Sequence, residues 1–359
     1  MNQLTLTGLS LGELSEYLSK LTNPLPRFRT AQIYKWISHG VSGFEQMTDI
    51  PNFLREELKK NFSLYSSTID SCHKDRDTTK IVLALKDNLK TEAVLLSTPD
   101  KLKSRGKRLT ACLSTQAGCP AGCVFCKTGS LGFSRDLSYQ EIVEQFFFLR
   151  NIAGKETTND DEHIIENIVI MGMGEPLLNL AELRKAITVF TEKQGINFSK
   201  RRITVSTCGI CDSLFDIAEN GPYMRLALSL TTADEPLRQK LMPITAANPL
   251  SKVKTALIAF QRNGGGRVTL EVPLLGGINT RDSDAASIAL FAKGIDTIVN
   301  IIPWNPVAGL EFEGKPLYEP EKKETENFIK LLENHGLKVT KRHRKGRSVL
   351  GACGQLGAE

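Results

Sequence analysis

Three thiols stand within eight residues of one another in this 359-residue chain: Gly118-Cys119-Pro120-Ala121-Gly122-Cys123-Val124-Phe125-Cys126. Thiolates are the usual ligands of iron–sulfur clusters, and a four-iron cluster is normally saturated by four of them. Three ligands leave one iron open, and an open iron can bind a substrate. The small residues Gly118, Ala121 and Gly122 let the loop wrap closely around a bulky inorganic group. A structural zinc site fits less well, because it closes with four ligands, typically in Cys-x2-Cys pairs. Three small buried hydrophobes falling together by chance is the bland alternative.

The other candidate residues are weaker when taken singly. Gly172 and Gly174 end a predicted strand and let backbone approach a ligand, while Glu175 can accept hydrogen bonds from an ammonium group. An ordinary strand-to-helix turn with a surface acid reads the same way. Cys112 and Cys353 are isolated cysteines, which are more often small buried residues than reagents. Cys208 and Cys211 form a pair, but two ligands close no metal site. Cys72 reads as structural, and Glu92, on a predicted strand, as solvent-facing.

The elements that must position these residues follow from periodicity and capping signals. Residues 1–65 read as a helical accessory module: Ser10-x-x-Glu13 is a capping box, Ile33, Trp36 and Ile37 form an apolar stripe, and Pro51 opens a helix carrying Phe53, Leu54 and Leu58. Residues 66–104 hold two strand-like runs, 78–85 and 91–96, around the turn signal Asp87-Asn88, and predict a small antiparallel pair. From 105 to 340 strands and helices alternate, with strands expected at 108–114, 167–172, 202–206, 225–230, 267–274 and 297–303. Helices are expected at 138–150, 181–193 and 321–335. Such alternation implies an α/β fold with a parallel sheet and its active site at the carboxyl ends of the strands. It does not separate a partial barrel from a doubly wound sheet. Residues 155–163 read as an insertion loop, and 341–359 as a glycine-flanked tail.

Bulk composition bounds the function. Hydrophobic residues make up 41 % and charged residues 24 % of the chain, values ordinary for a globular protein. No apolar run approaches a membrane span, and no signal peptide is visible, so the expected address is the cytoplasm. Eight cysteines without a secretion signal do not suggest a disulfide framework. The net charge of +6 is mild, but basic residues gather at Lys101, Lys103, Arg105, Lys107 and Arg108, at Lys200–Arg202, and at Lys338, Lys341, Arg342, Arg344, Lys345 and Arg347. Such clusters suit either phosphate contacts or a solvated surface.

The Cys-x3-Cys-x2-Cys spacing, with an aromatic before the last cysteine, resembles the signature of the radical S-adenosylmethionine superfamily. Further motifs occur in family order: Gly172-Met173-Gly174-Glu175-Pro176, Ser199-Lys200-Arg201-Arg202, Val205-Ser206-Thr207, Pro303-Trp304-Asn305-Pro306 and Gly351-Ala352-Cys353-Gly354-Gln355-Leu356. Together they resemble the RlmN/Cfr family of RNA adenine methyltransferases over nearly the whole chain. The resemblance implies a partial (β/α)6 barrel, a [4Fe-4S] cluster on Cys119, Cys123 and Cys126, and S-adenosylmethionine cleaved to a 5'-deoxyadenosyl radical. It implies cofactor contacts at Gly174, Glu175, Ser206, Ser229, Leu230, Thr231 and Asn305; Thr231 stands where the family commonly has histidine. Cys353 is then the methyl carrier, Cys112 the resolving thiol forming a transient disulfide with it, and Glu92 the proton acceptor. Seven more residues than in the family pattern separate Glu92 from Cys112. Nearby cations such as Arg108 are expected to favour the Cys112 thiolate. The implied activity is methylation of adenine carbon 2 in 23S ribosomal RNA, with transfer RNA as a further candidate. A reductase or flavodoxin would supply electrons, and the expected state is a monomer. Methylation at carbon 8, another radical reaction, and a noncatalytic metal-stabilised RNA-binding protein are the rivals.

Overall fold

The computed structural model describes residues 4–21, 25–100, 106–154, 165–342 and 344–357. The basic residues Lys101, Lys103 and Arg105 and the loop 155–163 lie outside the described residues.

A ten-stranded sheet forms the body of the molecule. In chain order its strands are β1 (Thr68–Lys74), β2 (Thr78–Ala84), β3 (Lys90–Pro99), β4 (Lys107–Leu113), β5 (Asn167–Ile170), β6 (Ile203–Thr207), β7 (Arg225–Ser229), β8 (Val268–Leu274), β9 (Thr297–Pro303) and β10 (Val339–Lys341). From β4 to β10 every pairing is parallel, and the strands lie side by side in chain order. A doubly wound sheet reverses its order at a switch point, whereas a barrel does not. The monotonic order therefore decides between the two architectures left open by periodicity: this is a partial barrel. Its first six parallel strands, β4 to β9, are those expected from the sequence, displaced by a residue or a few at their ends.

The antiparallel pair is larger than expected. β2 and β3 are joined by β1, and all three continue the main sheet through β3–β4 pairing. β1 escaped notice because Thr68-Ile-Asp-Ser-Cys-His-Lys74 is exposed along nearly its whole length, so it lacks the alternation that marks a half-buried strand. Its charged and polar residues suit an outer edge. Cys72 is exposed on this strand, which corrects its reading as a structural residue.

The helices α4 (Tyr139–Gly154), α5 (Leu180–Thr191), α6 (Cys211–Asn220), α7 (Leu250–Arg262), α8 (Asp282–Ala292) and α9 (Lys322–Asn334) share one apolar core with the strands, including Phe146, Phe147, Phe190, Leu214, Phe260 and Phe328. α4 begins with the expected cap, Ser138 N–H donating to Glu141 at 2.9 Å.

Before the sheet come α1 (Leu11–Ser19), α2 (Arg27–Ser38) and α3 (Asn52–Asn61), with a separate core around Leu14, Leu18, Ile33, Ile37, Leu54 and Leu58. The Ser10–Glu13 capping box is formed, with both reciprocal backbone hydrogen bonds in place. Phe53 points to solvent instead of into this core, at 71 % exposure. α4 ties the module down. Gln140 donates to the carbonyls of Thr5 and Thr7, Glu144 accepts from Ser66 and Ser67, and Asn151 donates to Gly40 O. Among the described residues no helix is long and apolar enough to cross a membrane.

Candidate active site

The cysteine loop leaves the carboxyl end of β4 through a short strand, Gln116–Gly118, paired with Phe133–Asp136. Gly118 has φ +77°, and a Cβ there would lie 2.1 Å from Gly132 O, so only glycine passes this crossing. The loop is then pinned from three directions. Val124 N–H donates to Leu241 O at 3.0 Å, Trp304 Nε1 donates to Phe125 O at 2.8 Å, and Lys127 N–H donates to Gly354 O at 2.8 Å.

Cys119, Cys123 and Cys126 line one cavity of about 180 Å³ at the carboxyl ends of the strands. Burial pushes the Cys119 thiol up to about 12 and raises Cys123 and Cys126 as well. Three thiols in so dry a place ionise only beside a cation, and iron coordination deprotonates them outright. Among the described residues no three His, Cys, Asp or Glu side chains close on a single ion. Three thiols with no fourth ligand suit a four-iron cluster with one iron left open better than a closed tetrahedral zinc site.

Gly174, Glu175, Ser206, Ser229 and Thr231 line the same cavity. Gly174 has φ +104°, and a Cβ would lie 2.7 Å from Gln116 Cβ. Glu175 is buried, and desolvation raises its carboxyl even though it accepts from Cys208 N–H at 2.7 Å and Leu177 N–H at 3.0 Å. A carboxylate so placed gains from a cationic partner such as a ligand ammonium. Ser206 and Ser229 meet across β6 and β7, Oγ to Oγ at 3.1 Å. Thr231 takes a left-handed φ of +63°, and its buried Oγ1 has no hydrogen-bond partner among the described residues. Leu230 is not part of the lining: its side chain lies in the core and its carbonyl accepts from Arg238 Nε at 3.0 Å.

A second cavity, of about 240 Å³, adjoins the first and shares Met171, Ile302, Arg342, Cys353 and Leu356 with it. It brings together Cys112 on β4 and Cys353 on the tail, 241 positions apart in the chain. Both are free thiols. The Cys112 thiol is pushed up to about 12 by burial first and the neighbouring Cys353 second, while Arg342 acts against the shift. Arg108, the cation expected to do this, is exposed near the far end of β4; it pairs in register with Thr98, four positions before Cys112. Arg342 holds that place instead. The tail is fixed by Asn305 Nδ2 donating to Cys353 O at 3.0 Å and Gln355 Nε2 donating to Pro306 O at 2.9 Å. Asn305 thus meets the tail, and its buried Oδ1 has no hydrogen-bond partner among the described residues.

Glu92 lies on β3, two residues from Val94, which pairs with Cys112. Between Glu92 and Cys112, β3 and β4 pair without a shift of register from Val94–Cys112 to Pro99–Lys107, and Asp100 N–H donates to Gly106 O at 2.9 Å beyond the last pair. Glu92 is buried, not solvent-facing. Lys80 Nζ approaches it at 3.2 Å and Gly357 N–H at 3.2 Å.

The basic clusters divide. Lys200–Arg202 is exposed but precedes β6, at the end of the barrel opposite the cavities. Arg344 and Arg347 pair with Glu319, and Lys345 lies 3.8 Å from Asp77. Arg342, Lys80, Glu271 and Arg238 were missed as site residues. Glu271 alone carried a signal, as a charge within the apolar strand Val268–Leu274.

Comparison with known proteins follows the same lines. Residues 113–288 match the model of the Radical SAM superfamily, and residues 4–64 that of the ribosomal RNA large subunit methyltransferase N-terminal domain. The chain is 45 % identical over 352 residues to a probable dual-specificity RNA methyltransferase RlmN of Treponema denticola, covering 98 % of this chain and 96 % of the relative. It is 38 % identical to the dual-specificity RNA methyltransferase RlmN of a Nitratiruptor species, covering 92 % and 93 %. The crystal structure of a radical SAM methyltransferase from Sphaerobacter thermophilus superposes with a TM-score of 0.89 at 32 % identity, covering 99 % of this chain and all of that one.

Proposed function

The chain belongs to the RlmN family of radical S-adenosylmethionine RNA methyltransferases, and from that premise we propose that it methylates carbon 2 of an adenosine in 23S ribosomal RNA, and in transfer RNA, through an S-methylated Cys353. The observation that carries this reading is the adjoining of the two cavities, one lined by Cys119, Cys123 and Cys126 and the other by Cys112, with Cys353 common to both.

A [4Fe-4S] cluster, when bound, supplies the electron that opens S-adenosylmethionine into a hydrogen-abstracting radical. Cys119, Cys123 and Cys126 would hold the cluster; Gly174, Glu175, Ser206, Ser229 and Thr231 would orient S-adenosylmethionine, with Asn305 at the tail side. Cys353 accepts the methyl group because an aromatic adenine carbon is too weak a nucleophile to take it directly. Glu92 removes the ring proton once the methyl carbon is joined to the base. The Cys112 thiolate then attacks Cys353 sulfur: an S–S bond forms, the bond from Cys353 sulfur to the transferred carbon breaks with its electron pair left on that carbon, and the carbon takes up a proton to become the methyl group of the released RNA. An unpaired, splayed-out adenosine fits such a site better than a stacked one. The division into residues 1–65, 66–104, 105–340 and 341–359 supports this assignment of roles: accessory module, sheet extension, catalytic core and carrier tail. The working setting is a cytoplasmic monomer served by a reductase or flavodoxin.

The test is anaerobic reconstitution with iron and sulfide, incubation with S-adenosylmethionine and unmodified ribosomal or transfer RNA, and mass mapping of the products. We expect 2-methyladenosine, and a one-methyl increase on the Cys353 peptide that disappears in Cys353→Ala. Finding 8-methyladenosine would reassign the carbon, and a Cys353 peptide that never gains a methyl group would reject the carrier.

A further inference from the structure

The short helix Glu235–Leu241 that follows β7 carries a fully buried cation, Arg238, at 0 % exposure. Among the described residues no carboxylate makes an ion pair with it. Asp234 and Glu235, the acids nearest in sequence, accept instead from Leu237 N–H at 3.1 Å and Leu250 N–H at 3.0 Å. The guanidinium is spent on backbone. Nε donates to Leu230 O at 3.0 Å, and Nη2 to Cys208 O at 2.7 Å and Ser229 O at 3.3 Å. Nη1 has no hydrogen-bond partner among the described residues. Such a group is a cost to the fold that an apolar side chain would avoid. What its three carbonyls carry is the cofactor cavity.

Pairing between β6 and β7 ends at Thr207–Leu228, and between β7 and β8 at Ser229–Glu271. At and beyond these ends both chains reach the cavity, through Ser206, Thr207 and Cys208 on one and Ser229 and Thr231 on the other. Cys208 is gripped on two sides, its carbonyl by Arg238 and its N–H by Glu175 at 2.7 Å. Thr231 holds its φ of +63° between two such grips: Arg238 on the carbonyl of Leu230, and Asn279 Nδ2 on the carbonyl of Thr231 itself at 2.8 Å. A β-branched residue keeps that backbone only where its neighbours over-determine it.

We propose that Arg238 is a positioning residue for S-adenosylmethionine: by joining Cys208, Ser229 and Leu230 it fixes the spacing of β6 and β7, and so the aim of Ser206, Ser229 and Thr231 at one ligand. The proposal rests on the reading of those residues as cofactor contacts given above. Arg238 does not itself line the cavity, so it acts through the strands. A planar guanidinium, with donors at fixed angles, reaches three carbonyls on two chains at once. An ammonium in its place keeps the charge but loses the plane. Ser206 and Ser229, set 3.1 Å apart across the two strands, then lose their spacing.

The test is S-adenosylmethionine binding to anaerobically reconstituted holoenzyme, by calorimetry, in a double-mutant cycle of Arg238→Lys with Ser229→Ala. Iron content stays at the wild-type level, because the cysteine loop is tied to this helix through main chain, Val124 N–H to Leu241 O at 3.0 Å. Arg238→Lys weakens binding at least about tenfold. Ser229→Ala, costly in the wild-type background, costs less than about twofold once Arg238 is lysine, since the hydroxyl is already misplaced. An arginine that serves only the fold gives losses that add. Wild-type affinity in Arg238→Lys, or additive losses, overturns the proposal and leaves the cofactor site standing. A wild type that binds no S-adenosylmethionine removes that site and the proposal with it. Should Arg238→Lys fold poorly or lose its iron, a crystal structure of the wild-type holoenzyme with S-adenosylmethionine decides. Arg238 bonded to the three carbonyls, with Ser206 or Ser229 on the ligand, supports the proposal; a guanidinium turned away from them overturns it.

Discussion

At the scale of single residues, the site works by burying charge beside one compensating partner. Lys80 and Glu92 are the clearest case, with side chains only 10 % and 1 % exposed. Lys80→Met leaves a buried carboxylate with its cation gone, which costs about 3–5 kcal/mol when one partner of such a pair is removed. We expect that loss in urea unfolding, with most of it recovered in the double variant Lys80→Met/Glu92→Gln. Equal destabilisation of the single and double variants would show that the pair carries no special weight. Gly174 is a second case, one of space instead of charge. Gly174→Ala meets Gln116 within 2.7 Å in a backbone region that strains any side chain by about 1–3 kcal/mol. Its expected effect is at least about tenfold weaker S-adenosylmethionine binding by calorimetry, at unchanged iron content, because a strain of that size in the ligand-facing backbone corresponds to a tenfold change or more.

At the scale of elements, the sheet converts distant sequence positions into neighbours, and here the sequence was read most successfully where burial was one-sided. The strands β4 to β9 are apolar runs bounded by caps, so their positions were legible. Their lateral order was not, because periodicity within a strand carries no information about which strand lies beside it. β1 was invisible for the opposite reason, being polar on both faces. The cysteine loop and the Gly174-Glu175 turn were legible as local motifs. Arg342 was not, since within a basic run an arginine that lines a cavity has the same composition as one in solvent. The register of β3 against β4 yields a prediction at this scale. Replacing residues 101–105 by the two-residue turn Asn-Gly keeps Val94 opposite Cys112, so methylation should stay within about threefold of wild type in a single-turnover assay, as expected for a change confined to a connection. A much larger loss would mean that these residues themselves contact RNA.

At the scale of the whole molecule, the distribution of charge is informative because the barrel has two ends. The cavities open at the carboxyl ends of the parallel strands, whereas Lys200, Arg201 and Arg202 precede β6 at the other end. Arg201→Glu/Arg202→Glu should therefore leave RNA affinity within about twofold and the salt dependence of binding nearly unchanged, because neither residue neutralises a phosphate at the site. Fluorescence anisotropy over a salt series checks this; a slope lowered by about two would place RNA across that end as well.

The tail connects these scales. It is held at Arg342 by the Ile301 carbonyl and at Gly354 by the Lys127 amide, with Cys353 lying between the two anchors. A span anchored at both ends tolerates exchange of residues but not a change in their number. Across related genomes, the stretch between Arg342 and Gly351 should thus drift in composition while keeping a constant length. A relative that retains every cysteine but carries an insertion there should be suspected of having lost, or exchanged, its chemistry.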